Sequence, residues 1–158
     1  MEGKHPEDIH PSECTICLDV HTTGGNGLSC FLYGGELPHV GGCALATPGA
    51  EIHGKRLSRC DVWTTPVPGH KDAIAAEKTA VRICLSVREP VSVCCGIHFD
   101  NLDTDGIAHV ITICEQLTDA FLRRYNAEKT DGAAAAYHII DRDIPAVPTP
   151  GNESSSDF

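Results

Sequence analysis

Polar and conformationally special residues gather in three short segments: Gly34-Gly35-Glu36-Leu37-Pro38-His39, Pro68-Gly69-His70-Lys71-Asp72 and Gly96-Ile97-His98-Phe99-Asp100-Asn101. The second sets Pro-Gly directly before a helical pattern. Bare backbone N–H groups at the positive helix end, with the Lys71 charge beside them, suit a small anion such as a phosphate, although a plain turn and cap accounts for the same residues. In the third, His98 and Asp100 stand two apart and Asn101 is suited to left-handed backbone, so a strand end can present two polar groups; an Asx turn is the alternative.

Three loop histidines, His39, His70 and His98, together with Asp100, could in principle furnish an open zinc or iron site. The spacing gives that reading little support. No His-x-x-x-His pair lies on a helix, and the Cys14/Cys17 pair has no second Cys-x-x-Cys to complete it. In a strand, residues three apart also point to opposite faces, as do the neighbours Cys94 and Cys95. No signature places a thiol at a helix N-terminus, where its pKa would fall, so the cysteines read as small core residues. Gly24-Gly-Asn-Gly27 matches neither a phosphate-binding loop nor a dinucleotide fingerprint. His5, His10, His21 and His53 fall in flexible or loop segments and read as solvated, while His109 sits beside an apolar helical stripe and reads as a packing residue.

The elements that must position these loops follow from periodicity. Glu13 to Val20 alternates, with Cys14, Ile16, Leu18 and Val20 on one face, which predicts a half-buried strand. Leu28 to Tyr33 predicts its hairpin partner, Val40 to Thr47 a third strand and Arg56 to Thr65 a fourth, so the first half reads as a four-strand meander, with Pro48 to Lys55 as a loop. Lys71 to Arg88 predicts a helix with Ile74, Val81 and Leu85 on one stripe near Ala80 and Cys84. Val91 to Ile97, short and nearly all apolar, predicts a central strand covered on both faces. The strongest signal is a second helix, whose Ile107, Val110, Ile111, Cys114, Leu117, Phe121, Leu122 and Tyr125 keep the 3-and-4 spacing. Thr104 can cap it, with Asp103 and Asp105 near its positive end, and it should bury Val110, Cys114, Leu117 and Phe121. Tyr137 to Ile140 reads as a docked turn or edge strand. The expected architecture is α+β: an antiparallel sheet of five to six strands packed by two helices.

The 158 residues suffice for one domain, read as 1–140, with 141–158, rich in Pro and Ser, as a flexible tail. A formal charge of −10 repels phosphate backbones and anionic lipid, which argues against nucleic-acid and membrane partners. No apolar run approaches the roughly 20 residues of a membrane span, and Met1 to Pro11 lacks a signal-peptide core, so a cytoplasmic protein is expected. Nine cysteines in such a compartment are expected as free thiols rather than a disulfide framework.

Gly34-Gly-Glu-Leu-Pro-His-Val-Gly41 before a strand, Pro68-Gly-His-Lys-Asp72 opening a helix, and Gly96-Ile-His-Phe-Asp-Asn101 before the last helix together resemble the small prenylated-flavin (prFMN) chaperone family, typified by the LpdD-like accessory protein of gallate decarboxylase, a UbiD-type enzyme. The resemblance spans about residues 30–123. It implies a homodimer with a fold similar to proteasome-assembly chaperones. It also implies a non-enzymatic carrier that binds reduced prenylated FMN and assists its insertion into an apo UbiD-type aromatic acid decarboxylase, with a flavin prenyltransferase as a further partner. On that reading His70 and Lys71 belong to the phosphate end, Gly69 beside them is a further cofactor-binding position, and Glu36, His39, His98, Asp100 and Asn101 supply other hydrogen bonds. Two alternatives stay open: a small metal-dependent enzyme using His39, His70, His98 and Asp100, and, as the fold implied by the resemblance would allow, an assembly chaperone without a small-molecule ligand.

Overall fold

The computed structural model describes residues 15–128 and 133–144. The chain runs β1 (Ile16–Thr22), β2 (Leu28–Gly35), β3 (Gly42–Pro48), β4 (Glu51–Ile52), β5 (Lys55–Arg56), β6 (Cys60–Pro66), α1 (Asp72–Val87), β7 (Val91–His98), α2 (Thr104–Glu128) and β8 (Ala136–Ile140). Six strands form one sheet in the order β6-β3-β7-β2-β1-β8, in which every neighbour pair is antiparallel except β2 and β7. The α+β architecture, with a mostly antiparallel six-stranded sheet and two helices, is therefore the one expected.

The meander is not. β7 inserts between β2 and β3, pairing parallel with the first and antiparallel with the second. The first four strands thus form two hairpins, β1–β2 and β3–β6, held together by a strand from the second half of the chain. The segment expected as a plain loop contains the small β4–β5 hairpin, turned by His53 and Gly54 with positive φ at both positions, as a type I′ turn requires. Strand β6 accordingly starts at Cys60 rather than Arg56. The Tyr137 segment is an edge strand, β8, paired to β1.

Both helices cover one sheet face. Ile16, Leu18, Val20, Leu28, Cys30, Leu32, Ala44, Ala46, Val91, Val93 and Cys95 alternate onto that face and meet Ala76, Ala80, Ile83, Cys114, Leu117 and Phe121. Each fully buried large side chain, such as Phe121 or Leu117, contributes about 1.5–3 kcal/mol. The opposite face is open, so Ser92 and Cys94 of β7 are only half-buried and the expectation of a strand covered on both sides fails. Helix α1 also turns differently from its apolar stripe. It lies on the sheet mostly through small residues, Ala73, Ala76, Thr79, Ala80 and Cys84, with Ile83 as the one large side chain on that face. Ile74 and Leu85 remain 59% and 41% exposed, because a close approach over Ala44 and Ala46 leaves no room for larger side chains there. Helix α2 buries Cys114, Leu117 and Phe121 as expected, with Val110 only partly covered at the edge of the core. Its cap is Asp103, whose Oδ1 accepts the Gly106 N–H at 2.7 Å, while Thr104 is already helical.

Beyond β8, Asp141–Asp143 form a 3₁₀ turn, and Asp141 Oδ2 accepts the Ile16 N–H at 3.1 Å. The start of the expected tail is thus tied to β1. Its remainder, 145–158, and Met1 to Cys14, with His5 and His10, lie outside the described residues. None of the described helices is long and apolar enough to cross a membrane.

Candidate functional site

The three loops meet at one end of the sheet. β2 and β7 run parallel, so Gly35 and His98 finish side by side, and the β2–β3 connection must cross the end of β7 to reach the far side of it. Gly96 permits that crossing, since a Cβ there would overlap the His39 carbonyl. The start of α1 arrives at the same place, because the helix begins at Asp72, just after the turn closed by the His70 N–H donating to the Val67 carbonyl at 3.0 Å.

His39 and His70 come together at 2.9 Å between Nε2 and Nδ1, and Asp72 Oδ2 lies 3.5 and 3.6 Å from those two nitrogens. The other oxygen of Asp72 accepts the Ile97 N–H at 2.9 Å. His98 stands edge-on to His39, ring centroids 6.1 Å apart, and its Nε2 is 2.9 Å from Asp100 Oδ1. Asp72 was not singled out by the sequence, although its position two residues after His70 in a first helical turn is a signal of a kind. Glu36 braces the loops, its Oε2 accepting the Asp100 N–H at 3.2 Å and its own N–H donating to the His98 carbonyl at 2.8 Å. Asn101 turns the chain at φ 58°.

This cluster forms the polar end of a groove of about 750 Å³ between α1 and α2. Its walls are apolar: Ile74, Val81 and Leu85 from one helix face Ile107, Val110 and Ile111 from the other. The half-exposed stripe of α1 thus has a use, as one wall of the groove. His39, Gly69, His70, Lys71 and His98 line the groove, whereas Glu36, Asp100 and Asn101 do not and act on it through the loops they hold. Charges of both signs lie along the groove, with Glu77, Lys78 and Arg82 on α1 and Glu115 on α2, and Arg82 is paired to Asp119.

Several thiols are disfavoured as thiolates by their surroundings. Cys114, on the groove wall, is pushed up to about 12 by burial, and burial likewise raises Cys30 to about 12 and Cys95 further. Cys43, on the open sheet face, donates to Cys94 Sγ at 3.1 Å, and that hydrogen bond, with burial second, raises its pKa. All eight described cysteines are free.

The structure thus combines a single open-faced sheet with a groove between its two helices, closed at one end by the three histidine-bearing loops. A family model for the prenylated flavin chaperone LpdD-like domain matches residues 10–126, most of the chain, and the chain belongs to that family, whose role is that of a chaperone for prenylated flavin. No curated protein matches the chain.

Proposed function

We propose that the protein carries reduced prenylated FMN in the α1–α2 groove and delivers it to an apo decarboxylase of the UbiD type, turning over nothing itself. The groove is the observation that carries this reading. About 750 Å³ falls within the range of sites that enclose a cofactor-sized ligand, its apolar walls suit a prenylated ring system, and its loop histidines gather with Lys71 and Asp72 at one end. Lys71, with His70 and Gly69 beside it, is the candidate for the phosphate. The carboxylate of Asp72 already occupies the helix start, so an anion there depends on side-chain cations rather than on the bare helix end. His39 and His98 offer ring nitrogens at the same end, and Glu36, Asp100 and Asn101 hold the loops in place.

Anaerobic titration with the reduced cofactor tests the reading. Wild type should bind, raised salt should weaken binding, and Lys71→Ala should lose a charge-assisted hydrogen bond of about 1.5–3 kcal/mol, which weakens affinity roughly 10- to 150-fold. Equal affinity in the two proteins removes Lys71 from the site, and absence of binding by wild type removes the carrier function.

The same reading includes a symmetric homodimer in the cytoplasm, supplied by a flavin prenyltransferase. The open sheet face is the surface for the second copy. Leu45 and Trp63 pair across β3 and β6 and are 44% and 60% exposed, and Phe31 stacks on Tyr33 on the same face at 4.6 Å between centroids. An apolar patch of this kind is covered by an identical patch related by a two-fold axis, with the paired Asp19 and His138 on the β1–β8 side of the same face.

A further inference from the structure

We propose that His39, His70 and Asp72 form a binding site for a divalent transition-metal ion, zinc being the reference, at the polar end of the groove. The three donor atoms, His39 Nε2, His70 Nδ1 and Asp72 Oδ2, make a triangle with edges of 2.9, 3.5 and 3.6 Å. Ligands about 2.1 Å from a tetrahedral zinc stand about 3.4 Å from one another. Two edges already match, and the third opens by about half an ångström once an ion replaces the direct contact between the imidazoles.

Two of the ligands are also oriented as ligands. His39 Nδ1 donates to the Leu37 carbonyl at 2.9 Å, which puts the proton on Nδ1 and the lone pair on Nε2, the atom facing the triangle. Asp72 is held through Oδ1 by the Ile97 N–H, so Oδ2 is presented as a monodentate donor. Gly41 keeps the space clear, because a Cβ there would overlap Asp72 Oδ2 and crowd His39 Nε2. Asp100, the carboxylate of the metal set considered from the sequence, is spent on His98 instead.

Two imidazoles and one carboxylate leave at least one coordination position free, as in open rather than closed metal sites. All three residues line the groove, so that position is available to water or to an oxygen of a bound ligand. An ion would also reverse the sign of the charge that Asp72 brings to the end where an anionic ligand is expected. The site stands apart from the carrier reading, since ion binding can be read with no flavin present.

The test uses full-length protein purified without an affinity tag, stripped by a chelator, kept reduced without added thiol, and titrated calorimetrically with Zn²⁺ and spectroscopically with Co²⁺. One ion per chain is expected, and the cobalt complex should show ligand-field bands without thiolate-to-cobalt charge transfer. His70→Ala, at an exposed position, and Asp72→Asn should each weaken binding by more than the roughly 10- to 100-fold that loss of an outer-shell partner costs, with the circular dichroism of wild type retained. Three results overturn the proposal: no binding by wild type, unchanged affinity in both variants, or thiolate charge transfer that disappears when Cys43 and Cys94 are replaced by serine.

Discussion

The sheet has a carboxylate at each end, and the two are used in opposite ways. At the end where β2 and β7 begin, Glu89 is buried, and both oxygens are committed: Oε2 accepts the Gly27 N–H at 3.0 Å and Oε1 the Tyr125 hydroxyl at 3.3 Å. At the end where those strands finish, Asp72 commits one oxygen to the Ile97 N–H and turns the other toward two imidazoles and the groove. A carboxylate satisfied on both sides ties loop to helix and has no capacity left. One satisfied on a single side is held in place and still able to act. Similar residues therefore serve closure at one end and leave an acceptor facing the groove at the other, and the difference lies in what is left unsaturated.

Substitution at the closed end should have the largest effect on stability. Glu89→Ala leaves a buried N–H without its acceptor and should cost about 2–3 kcal/mol in urea unfolding, whereas Asp72→Asn, which retains an acceptor for Ile97, should stay within about 1 kcal/mol of wild type. If Asp72→Asn is as damaging as Glu89→Ala, both ends are structural and the contrast is lost.

Alkaline pH should produce the next effect, and it falls on the core rather than on either end. Burial raises the Cys30, Cys84 and Cys114 thiols to about 12 from an ordinary value near 9, so the folded state holds protons that the unfolded chain gives up. Their contribution is complete below pH 9 and is lost as pH rises from 9 toward 12. Melting temperature should fall over that interval, and Cys30→Ala should flatten the slope. A slope unchanged by the substitution would place the sensitivity elsewhere.

The smallest effect on the folding of the chain itself is expected on the open face. Trp63→Glu should alter unfolding free energy by less than about 0.5 kcal/mol while converting a dimeric light-scattering mass to that of one chain. A wild-type protein that is monomeric at micromolar concentration would contradict the homodimer, and a dimer that survives Trp63→Glu would move its interface off this face.

The sequence by itself determined those parts of the molecule whose physics is local. Alternation of Ile16, Leu18 and Val20, and the 3-and-4 spacing from Ile107 to Tyr125, each bury a face whatever lies opposite, so the strands and α2 are legible one by one. The three polar segments were legible because Gly, Pro and His interrupt the apolar alternation beside them, although the β2–β7 ladder runs on through the paired Gly35 and His98 before the chain turns away. The tertiary structure alone decided what depends on neighbours distant in sequence. The insertion of β7 between β2 and β3 is a choice of partner, to which a strand's own pattern is indifferent. The face that α1 buries was decided by the small residues of β3, which reward close approach over bulk, and this turned Ile74 and Leu85 toward the groove. The grouping of His39 and His70 with Asp72 rather than Asp100 follows from that sheet order. Once β7 lies between β2 and β3, the loop carrying His39 must pass over its end, where the first turn of α1 is already waiting.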